Sequence, residues 1–163
     1  MSEQESPGRE RLHTYLNDHL AGSVAALELL DGVIEHHSED RITKIFRDLR
    51  DEIQDDQETL RNLIQKLGAE ESAMRKAGAW VAEKFSRVKI GDADDSVELL
   101  QALEALALGI TGKQLLWRSL GAIAPSFPAL QGTDFSGLEK SAHDQFERVE
   151  NLRKEMAREA FRM

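Results

Sequence analysis

The amino-acid sequence predicts an all-α protein, a four-helix bundle that forms a single domain over residues 1–163. Only three prolines interrupt the chain, at Pro7, Pro125 and Pro128, and the intervals between them are rich in the residues that lose least on entering a helix. Apolar residues recur within these intervals at three- and four-residue spacings, the period of an amphipathic helix. Neither the β-branched alternation of strands nor an Asn-Gly turn occurs.

The apolar periodicity divides the chain into four long helices and one short helix. Short loops make neighbouring helices antiparallel, so helices 1 and 2 are expected to form one hairpin and helices 3 and 4 another. The longer connection between helices 2 and 3 carries the short helix and is predicted to cross from one end of the bundle to the other. The predicted limits are about 7–35 and 41–67 for helices 1 and 2, 73–89 for the short helix, and 96–120 and 136–161 for helices 3 and 4.

Residues that favour helix ends support these limits. Ser6 and Pro7 suit the N-cap and the first helical position of helix 1. Gly68 directly follows the last apolar residue of helix 2 and suits a glycine C-cap. The sequence Ser136-Gly-Leu-Glu139 has the spacing of a capping box and predicts the start of helix 4.

Helix 3 differs from the other helices because it is apolar on nearly all sides. A helix of this kind is buried on most sides, so we expect part of it to face the crossover segment or a second copy of the chain in a homodimer. Gly109 and Gly112 within it are expected to allow a neighbouring helix to approach closely. Its apolar residues include Leu99, Leu100, Leu103, Leu106, Leu108, Ile110, Leu115, Leu116 and Trp117.

Composition excludes several classes of function. The chain has no cysteine, which rules out disulfides, iron–sulfur clusters, cysteine zinc sites and thiol catalysis. A formal net charge of -9 works against binding to nucleic acid or to anionic lipid, since both are bound through Lys and Arg. No run approaches about 18 uncharged apolar residues and no signal core is present. We therefore expect a cytoplasmic protein with no nucleic-acid partner and no membrane span.

Acidic residues interrupt the apolar stripe of helix 2. On a helical projection Asp56 falls roughly 20° from the centre of that stripe and Glu52 roughly 60° from it. Carboxylates that point into a bundle need protons, partners or a metal ion. One interpretation is a hydrogen-bonded polar layer, in which Gln and His satisfy the acids and a basic residue supplies the counter-charge. The other inward polar residues are His19, Gln114, Gln145 and Glu104, and the possible counter-charges are Arg153 and Lys113.

The helix order and the long crossover resemble the ferritin-like superfamily. In its di-iron members two helices each supply an inward Glu and the other two each supply Glu-x-x-His. This chain departs from that pattern because it has no Glu-x-x-His, and helix 2 reads Glu52-Ile-Gln-Asp55 at the equivalent spacing. The resemblance implies at most a degenerate site for iron or manganese, and its candidate ligands are Glu52, Asp56, Glu104 and His19.

Three functions remain open from the sequence. The first is a non-catalytic helical bundle with an interaction or stress-related role, for which no cofactor is expected. The second is a metal-binding or oxidative ferritin-like protein that uses the candidate ligands above. The third is a helical carrier of a small molecule, which would need a cavity lined by apolar side chains. The sequence identifies no catalytic residue, and an enzyme is the less favoured interpretation.

Overall fold

A computed structural model describes residues 6–69 and 96–163, and these residues form four long helices without any strand. The helices α1 and α2 pack against each other, α3 packs against α4, and α1 also contacts α3. The described part of the chain is therefore all-α, as predicted. The predicted short helix at 73–89 and the crossover that contains it lie outside the described residues. The helix limits are Pro7–His36 for α1, Asp40–Lys66 for α2, Ser96–Ile123 for α3 and Phe135–Ala160 for α4.

Two of the predicted helix ends are confirmed, and one is wrong in detail. The Ser6 side chain accepts a hydrogen bond from the Arg9 backbone N–H at 3.4 Å, and Gly68 adopts a φ of +74° after α2. The cap of α4 is Asp134 rather than Ser136, because its carboxylate accepts a hydrogen bond from the Gly137 N–H at 3.0 Å. The helix starts earlier than predicted since Phe135, its first residue, is buried.

The connection between α3 and α4 is more regular than the loop that the sequence predicts. α3 continues to Ile123, three residues beyond its predicted end, and two short 3-10 helices follow at Ala124–Ser126 and Pro128–Leu130. Proline suits the first turn of a helix because it has no N–H to satisfy there. Leu130 at the end of the second 3-10 helix is fully buried and holds this connection against the core.

Contacts between side chains give the relative directions of the helices. Along each contacting pair the residue numbers rise on one helix as they fall on the other, so the two helices are antiparallel. The contacts are Arg50–Asp31 and Gln57–Ser23 between α1 and α2, Glu52–Arg148 and Asp56–Gln145 between α2 and α4, and Glu104–Arg153 and Arg118–Glu139 between α3 and α4.

The core of the bundle is formed by aliphatic residues from all four helices, with Phe46 and Trp117 as its largest fully buried side chains. The expectation that α3 is buried on most sides holds only in part. Leu108 is 75% exposed and Leu115 is 51% exposed, because α1 and α4 cover the other faces of this helix. None of the described helices combines the length and apolar character that crossing a membrane requires.

Candidate functional site

A cavity of about 390 Å³ lies between α1, α2 and α3. This volume falls within the range of pockets that hold small molecules. Most of the wall is apolar, and polar side chains from all three helices complete it. The apolar wall includes Ala26, Ile53, Leu60, Leu106, Ile110, Leu116 and Trp117, and the polar wall includes Tyr15, Asp18, His19, Ser23, Asp56, Gln57 and Lys113.

Three glycines line the cavity from the interiors of helices: Gly22 on α1, and Gly109 and Gly112 on α3. A Cβ atom built on any of them would have no neighbouring atom within 4 Å. The expectation that Gly109 and Gly112 allow a close helix approach is therefore wrong, since no neighbour is close enough to need it. Each such glycine costs about 1 kcal/mol relative to alanine. All three glycines lack a side chain that would extend into the cavity.

A buried polar cluster forms part of the cavity wall. The Lys113 ammonium lies 2.5 Å from Oδ2 of Asp56 and also donates to the Gln145 amide oxygen. The Gln145 amide N–H donates to the same Oδ2 at 3.2 Å. Since Asp56 and Gln145 are both buried, these contacts provide the partners that a buried carboxylate requires.

The cluster bears out the polar-layer interpretation for Asp56 alone, with Gln145 as its amide partner, and it selects the counter-charge. The described contacts do not include the expected hydrogen bond from His19 to an acid, and Glu52 and Glu104 pair with arginines instead. The sequence left Arg153 and Lys113 open as the basic partner, and the structure places Lys113 there. Arg153 instead pairs with Glu150 and lies 3.7 Å from Glu104. Burial lowers the pKa of Lys113, and the charge of Asp56 beside it opposes that change.

The four candidate metal ligands do not lie together. His19 and Asp56 line the same cavity. Glu52 lies to the side, with its side chain 39% exposed, and pairs with Arg148 at 2.5 Å. Glu104 has its side chain 51% exposed, so the expected inward position of this residue is wrong.

The position of Glu104 follows from the packing of α3. Because α3 is apolar nearly all round, its sequence pattern does not show which face points inward. Contacts with α1 and α4 decide this, and they leave Glu104 at the edge beside α4. Within residues 6–69 and 96–163, no three His, Asp or Glu side chains are grouped so that they could hold a metal ion. The residues present do not fit the carboxylate and imidazole set of a di-iron centre.

Tyr15 and His19 form an aromatic pair on the α1 side of the cavity. Their ring centroids are 4.7 Å apart in an edge-to-face arrangement. The Tyr15 hydroxyl lies 3.3 Å from Oγ of Ser119 and links α1 to α3. Burial lowers the pKa of His19, with the nearby Asp18 acting in the opposite direction. Burial therefore favours a neutral imidazole at the cavity wall.

Trp117 is the cavity-lining residue with an unsatisfied donor. Its side chain is buried, and its indole N–H has no hydrogen-bond partner among the residues that the structure describes. By contrast, Gln57 donates to Oγ of Ser23 at 2.9 Å, and Ser23 donates to the Leu20 carbonyl at 2.6 Å. A buried donor without a partner costs about 1–3 kcal/mol.

Sequence reasoning placed Trp117 in the core or an interface and could not show the cavity beside it. The signal that points to the cavity is glycine within long helical segments, at positions 22, 109 and 112. That signal is ambiguous in a sequence, because glycine in a helix can serve either close packing or open space.

Comparisons with known proteins found no relative. The chain matches no protein-family model, no curated protein and no solved structure.

Proposed function

We propose that this protein is a non-catalytic helical bundle that binds a small, mainly apolar molecule in the cavity between α1, α2 and α3. The observation that carries this proposal is the cavity of about 390 Å³ with helix-interior glycines in its wall. Alanine at these positions would favour the helices and would meet no other atom. Helix stability alone would therefore favour alanine at these positions. The glycines leave more open space in the cavity than alanine would.

The wall of the cavity indicates the chemistry of the ligand. Its apolar surface would cover most of a small molecule, as ligand sites usually do. Asp56 and Lys113 already compensate each other's charge, so a ligand with net charge would meet no unpaired opposite charge in that cluster. The ligand we propose is neutral overall and mainly apolar.

We also propose that the chain has ferritin-like connectivity. The antiparallel contacts of α1 with α2, of α2 with α4 and of α3 with α4 support it, because they imply that α2 and α3 run in the same direction. A chain that joins two helices of the same direction has to return along the bundle, which is the crossover of ferritin-like proteins. Function does not follow from this resemblance, since the same fold supports many functions.

The alternative of a degenerate metal site receives less support from the geometry. The Lys113 ammonium contacts Asp56 directly and supplies the positive charge that a metal ion would supply to that carboxylate. Glu52 and Glu104 are each paired with an arginine at the edge of the bundle. The three candidate carboxylates are thus already compensated by basic side chains of the same chain.

The test is binding of N-phenyl-1-naphthylamine, a neutral apolar fluorescent probe. Trp117 lies on the cavity wall, so energy transfer from its indole should report a probe molecule inside. A Trp80→Phe background makes Trp117 the single tryptophan. We expect saturable binding with one probe molecule per chain and transfer from Trp117.

Two leucine substitutions provide the decisive comparison. Gly112→Leu places a side chain in the open space of the cavity and should weaken probe binding about tenfold or more. Gly8→Leu makes the same change on α1, where an added Cβ also has no neighbouring atom within 4 Å but the position lies away from the cavity. It should leave binding unchanged. Equal binding by parent and by a folded Gly112→Leu variant would rule out the cavity as the site.

A further inference from the structure

A row of exposed side chains runs along α3 on the face that points away from the cavity. On a helical projection the centre of this row is roughly 160° from the centre of the cavity-lining residues of the same helix. Its members are spaced alternately by three and four residues, which is the spacing of a helix-pairing seam. We call this row the α3 seam, and it consists of Gln101, Glu104, Leu108, Thr111, Leu115, Arg118 and Ala122, all of them exposed.

The centre of the α3 seam is apolar. Leu108 is 75% exposed and Leu115 is 51% exposed, one on either side of Thr111. Exposed leucines occurring singly need no explanation, but two on one face of one helix form a patch that a partner can cover.

The α3 seam carries one negative and one positive side chain, at equal distances on either side of Thr111. Glu104 lies seven residues before Thr111, and Arg118 lies seven residues after it. Both side chains are about half exposed, at 51% and 54%. Each also contacts a residue of α4, Arg153 for Glu104 and Glu139 for Arg118, and these contacts hold the two charges at the edge of the seam.

This order of residues is complementary to itself when one copy is reversed. A two-fold axis at Thr111 brings Glu104 of each copy beside Arg118 of the other, while the leucines of both copies meet in the middle. A parallel arrangement would instead place Glu104 against Glu104 and Arg118 against Arg118, and like charges across an interface disfavour association. Self-complementarity about a two-fold axis is the property of an isologous dimer interface.

We propose that the α3 seam is the interface of an antiparallel homodimer, in which α3 packs against α3 of a second copy. The self-complementary order of charges selects a second copy of this chain as the occupant. The interface lies on the opposite side of α3 from the cavity, so each copy keeps its own cavity open. Dimer formation is therefore independent of ligand binding, and each can be tested without the other.

Sedimentation equilibrium of the full chain tests the proposal. The parent protein should show a reversible equilibrium between monomer and dimer. Leu115→Glu places a charge in the apolar centre and should raise the dissociation constant of the dimer about tenfold or more. Phe161→Glu changes an exposed apolar residue outside the seam and should leave the dissociation constant unchanged. Circular dichroism should show the same helix content in all variants.

A charge swap tests the antiparallel orientation. Glu104→Arg alone and Arg118→Glu alone each place like charges opposite one another and should weaken the dimer. The two changes combined restore opposite charges in the antiparallel arrangement and should bring the dissociation constant back towards that of the parent. Glu104→Arg also faces Arg153, and Arg118→Glu also faces Glu139, within one chain. The comparison is therefore made among variants whose free energies of unfolding are equal. If such a double variant has a dissociation constant no lower than those of the single variants, the antiparallel orientation is wrong.

A monomeric parent at all concentrations would overturn the proposal as a whole. If the parent is monomeric and Leu115→Glu also lowers the free energy of unfolding, the seam is covered from within one chain. In that case the residues covering the seam belong to the same chain, and a second copy does not bind there.

Discussion

Lys113 of α3 reaches across the bundle to Asp56 of α2, and its ammonium lies 2.5 Å from the carboxylate oxygen Oδ2. Both side chains are largely buried, with 14% and 10% of their surface exposed. A pair of this kind loses much hydration energy on folding, and its attraction offsets that loss only while both partners are present. The pair therefore ties the positions of α2 and α3 to each other.

Removing one partner of this pair should be strongly destabilising. Lys113→Met leaves the Asp56 carboxylate buried with only Gln145 as a partner, and we expect a loss of about 3–5 kcal/mol in the free energy of unfolding. Chemical denaturation measures it. Combining Lys113→Met with Asp56→Asn removes both charges and should cost less than the sum of the two single changes. Strictly additive costs would contradict direct coupling of the two side chains.

The ion pair of Glu52 with Arg148 provides the matched contrast. It joins the same two elements, α2 and α4, that Asp56 and Gln145 join, but both of its side chains are about 40% exposed. Exposed ion pairs contribute about 0–1 kcal/mol because water screens them. Glu52→Gln should therefore change the free energy of unfolding by less than about 1 kcal/mol in the same denaturation experiment. A cost equal to that of Lys113→Met would mean that burial does not distinguish the two pairs.

The stability of the protein should fall as the pH is lowered through the ordinary pKa of histidine, about 6.5. Burial lowers the pKa of His19 in the folded state, so the unfolded chain binds this proton more readily than the folded chain. The contribution of His19 to the free energy of unfolding is then fully present above about pH 6.5 and decreases as the pH falls below that value. Denaturation at a series of pH values measures the slope.

His19→Gln removes the titrating group, and comparison with the parent isolates its contribution. The difference in free energy of unfolding between the two proteins should vary with pH below about 6.5 and should be constant above about 7.5, where His19 is neutral in both states. A difference that is constant across the whole range would contradict the lowered pKa. A cavity ligand should shift the dependence to lower pH if it further dehydrates the imidazole.

Substituting the cavity glycines by alanine should stabilise the protein. Gly22, Gly109 and Gly112 lie within helices, have ordinary backbone angles and have room for a Cβ. Each change to alanine should raise the free energy of unfolding by about 0.5–1 kcal/mol, mainly by restricting the unfolded chain. Thermal or chemical denaturation of the three single variants tests this expectation.

Gly68 and Gly132 are the controls for this series. Their φ angles are +74° and +88°, a region that side chains with a Cβ disfavour. Alanine at either position should lower the free energy of unfolding, opposite to its effect at the cavity. If alanine destabilised the protein at the cavity positions too, the space beside those glycines would be filled in solution.

Elemental analysis of protein purified without chelator tests the metal hypothesis directly. We expect no stoichiometric iron or manganese, because the Lys113 ammonium compensates Asp56 and the remaining candidate acids pair with arginines. The informative variant is Asp56→Ala. Stoichiometric metal in the parent that is lost in Asp56→Ala would contradict this expectation and make the buried carboxylate a ligand.

The parts of this protein that depend on local order along the chain were predictable from its sequence. Helix period, end signals such as Ser6 before Pro7, and the inward position of Asp56 all follow from spacing along one helix, and the structure confirms them. The cap of α4 was placed at Ser136, two residues after the observed cap Asp134, because both residue types suit a cap, and burial of Phe135 decides between them. Local chemistry alone could not make that choice.

What the sequence determined by itself is therefore the all-α class of the described residues, the limits of their helices to within a few residues, and the presence of an inward acid that needs a partner. Tertiary structure decided which basic residue became that partner, Lys113 rather than Arg153, because the choice depends on distances between different helices. Tertiary structure also decided which face of α3 is exposed, because a helix that is apolar on all sides does not show in its sequence which face points outward. The cavity belongs to the tertiary structure as well, because a void is defined by the separation of α1, α2 and α3 and not by the residues of any one of them.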